Sequence, residues 1–260
     1  MSTQYDKFGS VYQKLTQLEP ELIEHLNFER VIRPLVKDKK VLDLACGLGR
    51  VSRMAIHLGA THAHAVDVSP GMIEGAKVAS TGESYKSKAT YEVGDCSKPK
   101  SFEGGPFDVV TACWLLNYAP DSKVMTEMFR NASQNLRSGG HFVGVVPPPT
   151  EDPAADVRLK QEARPKQENI VWTENTGFVE EGINCFVIAL TEEDEKDDIQ
   201  FESYHLKESV HREAAKAGGF ADFEVQQLEM PEMLKAKGNA AWLESFVTMP
   251  DCGIFVATKA

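Results

Sequence analysis

Val41-Leu42-Asp43-Leu44-Ala45-Cys46-Gly47-Leu48-Gly49-Arg50 decides how the rest of this chain is read. The apolar run ending in Cys46 predicts a buried strand. Gly47-Leu48-Gly49 predicts a tight turn, because two glycines let backbone approach a ligand closely. Val51, Met54, Ala55 and Leu58 then recur at i, i+3, i+4 and i+7, the face of a helix that Gly59 ends. In such a strand–turn–helix unit, ligands bind beyond the carboxyl end of the strand. A dinucleotide site would want a third glycine at position 52, where Ser52 stands, and an acid such as Asp43 would repel a pyrophosphate. A cationic amino group or a sulfonium would be welcomed there, so a nicotinamide oxidoreductase is a distant third reading.

Working outward, the alternation continues. His62 to Val68 predicts a second strand, Ser69-Pro70 the capped start of a helix reaching about Ser80, and Tyr91-Glu92-Val93 a third strand. Phe107 to Ala112 predicts a fourth. Asp121 caps a helix with a stripe of Val124, Met125, Met128, Phe129, Ala132 and Leu136, Gly139-Gly140 ends it, and His141 to Val146 predicts a fifth strand. Strands alternating with helices predict an α/β fold, a Rossmann-like doubly wound sheet of seven strands. Pro147-Pro148-Pro149 breaks the rhythm. Beyond it, Cys185 to Leu190 and Ile199 to Tyr204 predict an antiparallel hairpin around an acidic run. Leu206 to Ala217 predicts a helix, and Phe223 to Leu228 and Ile254 to Ala257 the last strands. The expected organisation is an N-terminal helical lid (1–38), a core (39–148), an inserted lid (149–204) and the C-terminal part of the core sheet (205–260).

The 260 residues are 42% hydrophobic and 26% charged, an ordinary globular composition. No apolar run approaches the roughly 18 residues of a membrane span. The start of the chain lacks a basic patch followed by an apolar run, so the expected location is cytoplasmic. Net charge is −11, of which Thr191 to Glu202 contributes −6. Without a basic stripe to neutralise phosphates, nucleic acid is not an expected partner. The acidic run lacks the alternating ligands and central glycine of a calcium loop and predicts a solvated loop tip. Cys46, Cys96, Cys113, Cys185 and Cys252 are odd in number and widely spaced. They predict reduced thiols with neither a disulfide framework nor a zinc site.

Asp43, Asp67 and Asp95 close three consecutive strands. One such acid would be an ordinary turn former, but three beside a glycine turn point to a ligand. Asp67 is placed for ribose hydroxyls, and Asp95 could accept from an exocyclic amine. This set resembles the class I S-adenosylmethionine-dependent methyltransferases, most strongly over residues 40–148. The resemblance places Asp43, Ala45, Cys46, Gly47 and Gly49 around the methionine part of S-adenosyl-L-methionine. It assigns Asp67 to the ribose, Met72 to adenine packing and Asp95-Cys96 to adenine recognition, and adds Val68 and Cys113 to the cofactor set. Phe107-Asp108-Val109-Val110 and Leu136-Arg137-Ser138-Gly139-Gly140 match the family's later motifs. More narrowly, Tyr5-Asp6, Tyr12, Leu116-Asn117-Tyr118-Ala119 and Tyr204 before Ala217-Gly218-Gly219-Phe220 resemble toxoflavin-synthase-like small-molecule methyltransferases. That likeness implies that Tyr5 and Tyr12 close over the cofactor, with Phe8 nearby.

The implied reaction moves a methyl group to an O or N atom of a small molecule, by this likeness a secondary metabolite. Trp114, Asn117, Tyr118 and Tyr204 are the expected acceptor pocket, with Trp172, Phe178, Trp242 and Phe246 as its lid. His205, where the insertion re-enters the core, is the expected base, and Tyr118 a second catalytic candidate. His62 and His64 share a strand face and read as structural, and His211 as facing solvent. No metal is expected. A homodimer through the inserted hairpin is one expected assembly. A protein methyltransferase, or a protein of this fold that binds the cofactor without transfer, are the alternatives.

Overall fold

The computed structural model describes residues 18–164, 170–190 and 199–260. β1 (Lys40–Leu44), β2 (His62–Asp67), β3 (Ala89–Val93), β4 (Phe107–Cys113) and β5 (Leu136–Val146) lie parallel. With β9 (Glu224–Gln226) and β10 (Gly253–Thr258) they form one seven-stranded sheet in the order β3-β2-β1-β4-β5-β10-β9. β10 runs antiparallel to both neighbours, with Ile254 opposite Val145 and Gln226. This is the doubly wound α/β fold the sequence predicts. Strand order reverses between β1 and β4, and the crevice at that switch point opens above their carboxyl ends.

Local chemistry starts the helices where the sequence places them. α2 (Arg50–His57) follows Gly49, whose φ of 72° an L side chain resists. α3 (Pro70–Ala79) begins at Ser69, whose hydroxyl accepts from the Met72 N–H at 3.3 Å, with Pro70 at the first helical position. A short α4 (Glu83–Lys86) leads into β3. α5 (Ser122–Asn135) begins at Asp121, whose carboxylate accepts from the Val124 N–H at 2.8 Å.

Helices cover both faces of the sheet. α1 (Glu19–Val36) buries Phe28, Ile32 and Val36 with Val41, Met54, Ala55, Val143 and Ile254. Each such large side chain contributes about 1.5–3 kcal/mol when fully buried. On the other face, α5 and α7 (Glu208–Ala217) enclose Phe129, Phe142, Phe220, Phe223 and Phe255, with the Phe142 and Phe255 rings nearly perpendicular at 5.0 Å. α8 (Glu232–Lys235) and α9 (Ala240–Thr248) fill the connection from β9 to β10. Tyr5, Phe8, Tyr12 and most of the acidic run lie outside the described residues.

The insertion is larger than the hairpin the sequence suggests. β6 (Ile170–Val179), β7 (Gly182–Leu190) and β8 (Ile199–Leu206) make a separate antiparallel sheet, preceded by α6 (Pro153–Ala163). β6 escapes sequence reading because Thr173-Glu174-Asn175-Thr176-Gly177 is polar, and its register shifts between Asn175 and Gly177. Pairing with β7 makes it a strand. β7 and β8 approach so closely at Gly182 that a Cβ there would sit 2.2 Å from the His205 carbonyl oxygen.

His211 is a second correction. It is 2% exposed rather than facing solvent. α7 turns it inward against Phe223, and its Nδ1 donates to the Lys207 carbonyl at 3.0 Å. His62 and His64 do play a structural part: His62 Nε2 and His64 Nδ1 contact the Thr90 hydroxyl, and His64 Nε2 lies 3.2 Å from Glu92.

Candidate functional site

The turn after β1 is built from left-handed residues: Ala45 (φ 55°), Gly47 (φ 51°) and Gly49 (φ 72°). Strain at a non-glycine position such as Ala45 persists only where the surroundings impose it. Here they do. The Cys46 N–H donates to the Val66 carbonyl at 3.0 Å, and the Gly49 N–H to the Cys46 carbonyl at 2.8 Å. Asp67, at the end of β2, clamps the turn. Its carboxylate accepts from the Gly47 N–H at 2.8 Å and from the Ser69 N–H at 2.9 Å.

A cavity of about 360 Å³ opens above this clamp, within the usual range for small-molecule sites. Ala45, Gly47, Asp67, Val68, Met72, Asp95, Cys96, Cys113, Trp114 and Tyr118 line it, all expected from the sequence. A Cβ at Gly47 would meet nothing within 4 Å; that side of the turn faces open space. Asp95 accepts from the Ser97 N–H and hydroxyl at 3.0 and 2.5 Å, and pairs with Lys98 at 2.9 Å. Partial burial pushes its carboxyl up, but Ser97 and Lys98 outweigh this and hold it below the usual value. Cys96 is a neutral thiol, pushed up to about 12 by burial. Burial also pushes the Tyr118 phenol upward.

Other expected residues stand behind the cavity. Asp43 is 1% exposed and accepts from the Ser52 hydroxyl at 2.5 Å and the Thr111 hydroxyl at 2.9 Å. Burial raises its pKa to about 6 against those two bonds. Ser52, expected only as a departure from a glycine fingerprint, is thus the partner of a buried acid. Cys46 packs with Ala65 and Ile73, and Gly49 lies against Ala76 and Tyr91. Asn117 is 2% exposed, and Tyr204 packs on the large core; neither lines the cavity. Leu115 lines it with its neighbours in the loop after β4, and Ser97 and Met128 line it without having been expected. Met128 belongs to an apolar helix stripe that reads as core, so no sequence signal sets it apart.

Trp114 stands between this cavity and a second chamber. It is left-handed (φ 60°), with its N–H on the Val145 carbonyl at 2.9 Å and its indole Nε1 on Glu24 at 3.0 Å. The chamber lies between α1, the inserted sheet and α9, in two lobes of about 40 and 60 Å³ that share Thr173, His205, Phe246 and Asp251. Glu21 and Glu24 of α1 face it beside Trp114, and Arg164 and Trp172 face its far end. Burial, opposed by Arg50 at 3.3 Å and by Trp114, raises the Glu24 pKa. Burial and the Glu24 charge raise that of Glu21. His205 is pushed down to about 3, by burial first and then by Lys160 and His211. It stays neutral and is a feeble proton acceptor near pH 7. Among the described residues, no three His, Cys, Asp or Glu side chains are grouped to hold a metal ion, and no helix is long and apolar enough to cross a membrane.

Residues 41–140 match a family model described as a methyltransferase domain. A demethylmenaquinone methyltransferase of Leptospira interrogans is 29% identical over 147 residues, covering 54% of this chain and 57% of that protein. An mRNA cap guanine-N(7) methyltransferase of Caenorhabditis briggsae is 31% identical over 126 residues, covering 43% of this chain and 32% of that one. The chain thus spans between a third and three fifths of the length of these relatives. The solved structure of an S-adenosylmethionine-dependent methyltransferase from Mesorhizobium loti shares the fold, with a TM-score of 0.60 at 22% identity over 89% of this chain and 95% of that one.

Proposed function

We propose that this protein is an enzyme that transfers the methyl group of S-adenosylmethionine to an N or O atom of a small-molecule acceptor. The observation that carries the reading is Asp67, held between the left-handed turn after β1 and the start of α3, at the edge of a cavity of about 360 Å³. The residues present suit the cofactor. Asp67 has oxygen lone pairs for ribose hydroxyls, Val68 and Met72 offer apolar surface to adenine, and Asp95 is an ionised acceptor for its amine. Gly47 leaves open the space that a side chain would fill. The cofactor, when bound, supplies an electrophilic methyl on a sulfonium.

The chain's own part is to orient and to exclude water. Alignment of nucleophile and methyl can be worth roughly 7–11 kcal/mol. Trp114 walls both spaces, which makes the chamber beyond it our candidate for the acceptor. Its two small lobes favour a metabolite over a protein segment. His205 and Tyr118 would serve as walls, since one is too weak a base and the other too weak an acid to exchange protons near neutrality. The narrower toxoflavin-synthase likeness leans on Tyr5 and Tyr12, outside the described residues, and on Tyr204, which packs in the core.

Calorimetric titration with S-adenosylmethionine and S-adenosylhomocysteine tests the reading, on wild type and Asp67→Ala. Binding in the micromolar range by wild type, lost in the variant, is expected. A folded wild type that binds neither compound would overturn it. Methyl transfer to any small acceptor would separate an enzyme from a protein that only binds the cofactor.

A further inference from the structure

Building on the methyl-transfer reading, we propose that the chamber behind Trp114 takes a small zwitterionic amine, its nitrogen against Glu21 and Glu24 and its carboxylate against Arg164. Three features of the chamber lead there. The first is the placement of charge. Its α1 end presents two carboxylates, Glu21 and Glu24, and of the described cations Arg50 reaches Glu24. Burial pushes both carboxyls upward, and the Glu24 charge adds to the rise at Glu21, while Arg50 and Trp114 oppose it at Glu24. An ammonium group would supply that charge.

The second feature lies at the opposite end. Arg164 is 6% exposed and held in place: Nη2 donates to the Met249 carbonyl at 3.0 Å and to Asp251 at 2.6 Å, and the guanidinium lies 4.1 Å from the Phe246 ring centre. Its Nη1 has no hydrogen-bond partner among the described residues, and neither does the buried Nε1 of Trp172. Both residues line the same lobe. One orphaned N–H on a pinned cation, beside the orphaned indole N–H of Trp172, calls for an acceptor, and a carboxylate is the acceptor a guanidinium fits best. The donors at one end and the carboxylates at the other therefore make complementary demands.

The third feature is size and place. Lobes of about 40 and 60 Å³ hold a few heavy atoms and exclude a peptide or a fused ring. The carboxylate end of the chamber is the far one, and the amine end abuts Trp114, the wall shared with the cofactor cavity. His205, neutral in the shared wall, does not repel an ammonium. The step balances simply. The ammonium gives a proton to the Glu21 carboxylate. The freed nitrogen pair forms the C–N bond, the C–S bond breaks, and its electrons stay on sulfur. The N-methylammonium product and S-adenosylhomocysteine leave, and Glu21 returns its proton to water.

The test begins with S-adenosylhomocysteine titration of wild type, Glu21→Gln, Arg164→Gln and Trp172→Phe, which are expected to bind it equally. Failure of folded wild type to bind overturns the methyl-transfer reading itself. Formation of S-adenosylhomocysteine is then measured with glycine, alanine and β-alanine, with methylamine and ethylamine, and with acetate. Turnover of an amino acid at least about tenfold above the amines, and none with acetate, is expected. Arg164→Gln should raise KM for the amino acid about tenfold or more, and Glu21→Gln should lower kcat. Trp172→Phe keeps the ring and deletes the N–H, so it separates lost recognition from lost folding, and should raise KM alone. Amines turned over as well as amino acids, no turnover with any of the panel, or unchanged KM in both Arg164→Gln and Trp172→Phe would each overturn the zwitterion proposal while leaving cofactor binding intact.

Discussion

The cavity above β1 and the chamber behind Trp114 share one wall and are built in opposite ways. The cavity's key groups come from strand ends close in sequence: the turn at 45–49, Asp67 and Asp95, each positioned by its own strand and turn. The chamber draws Glu21 from α1, Arg164 from the end of α6, His205 from β8 and Asp251 from the approach to β10. The first is a property of a motif that many chains can share. The second is a property of how this chain's insertion and termini fold back. A cofactor common to a fold suits the first, and an acceptor particular to one enzyme suits the second.

Four changes can break or sharpen that contrast. Asp67→Ala should have the largest effect. It removes the clamp and the proposed ribose acceptor, at about 1.5–3 kcal/mol for each charge-assisted bond, so cofactor affinity should fall at least about 100-fold. Titration with S-adenosylhomocysteine reads it, and an effect below tenfold would separate Asp67 from the site.

Next comes the buried acid under the turn. Burial lifts the Asp43 pKa to about 6, well above the ordinary aspartate range. The folded state therefore binds more protons than the unfolded state in that window, so this contribution is most favourable at low pH and is lost as pH rises through about 4 to 6. From pH 4.5 to 7.5 it should amount to about 2 kcal/mol. Denaturant unfolding of wild type and Asp43→Asn at both values isolates it, since the variant lacks the titrating group. Equal pH dependence in the two would dismiss it.

Gly182→Ala strikes the other region. Its Cβ would lie 2.2 Å from the His205 carbonyl oxygen, so β7 and β8 must part. A loss of about 1–3 kcal/mol in stability is expected. Acceptor turnover should suffer while S-adenosylhomocysteine affinity stays within about twofold, because the cavity uses no residue of the inserted sheet. Equal loss of both would show the two regions to be one cooperative unit. Trp114→Phe should have the smallest effect. It deletes the bond to Glu24 and keeps an aromatic wall, at a cost of about 1–2 kcal/mol. Acceptor KM and S-adenosylhomocysteine affinity are both read, since Trp114 lines both spaces, and a change in neither would remove Trp114 from the contrast.

Legibility followed the same division. The sheet core could be read because apolar periodicity, Ser69-Pro70 and Asp121 at helix starts, and glycines at turns are local signals. That Asp67 and Asp95 line the cavity was readable because the fold places strand ends at its crevice. β6 was not, since its polar residues show no alternation and only β7 makes it a strand. Ser52 read as a missing glycine, though its hydroxyl bonds Asp43 nine residues away. His211 read as a solvent residue, because a helix face cannot be oriented until its neighbour is known, and here the neighbours are α5 and Phe223.

Sequence alone determined the doubly wound sheet, the glycine turn and the acids at its strand ends, because each depends on residues within a few positions of one another. Tertiary structure alone decided that Glu21, Glu24, Arg164 and Asp251 face one chamber, that Trp114 divides it from the cavity, and that Asp43 stands behind the turn. Those facts depend on which segments pack together across more than two hundred residues, and burial then sets the charge state of each group brought in.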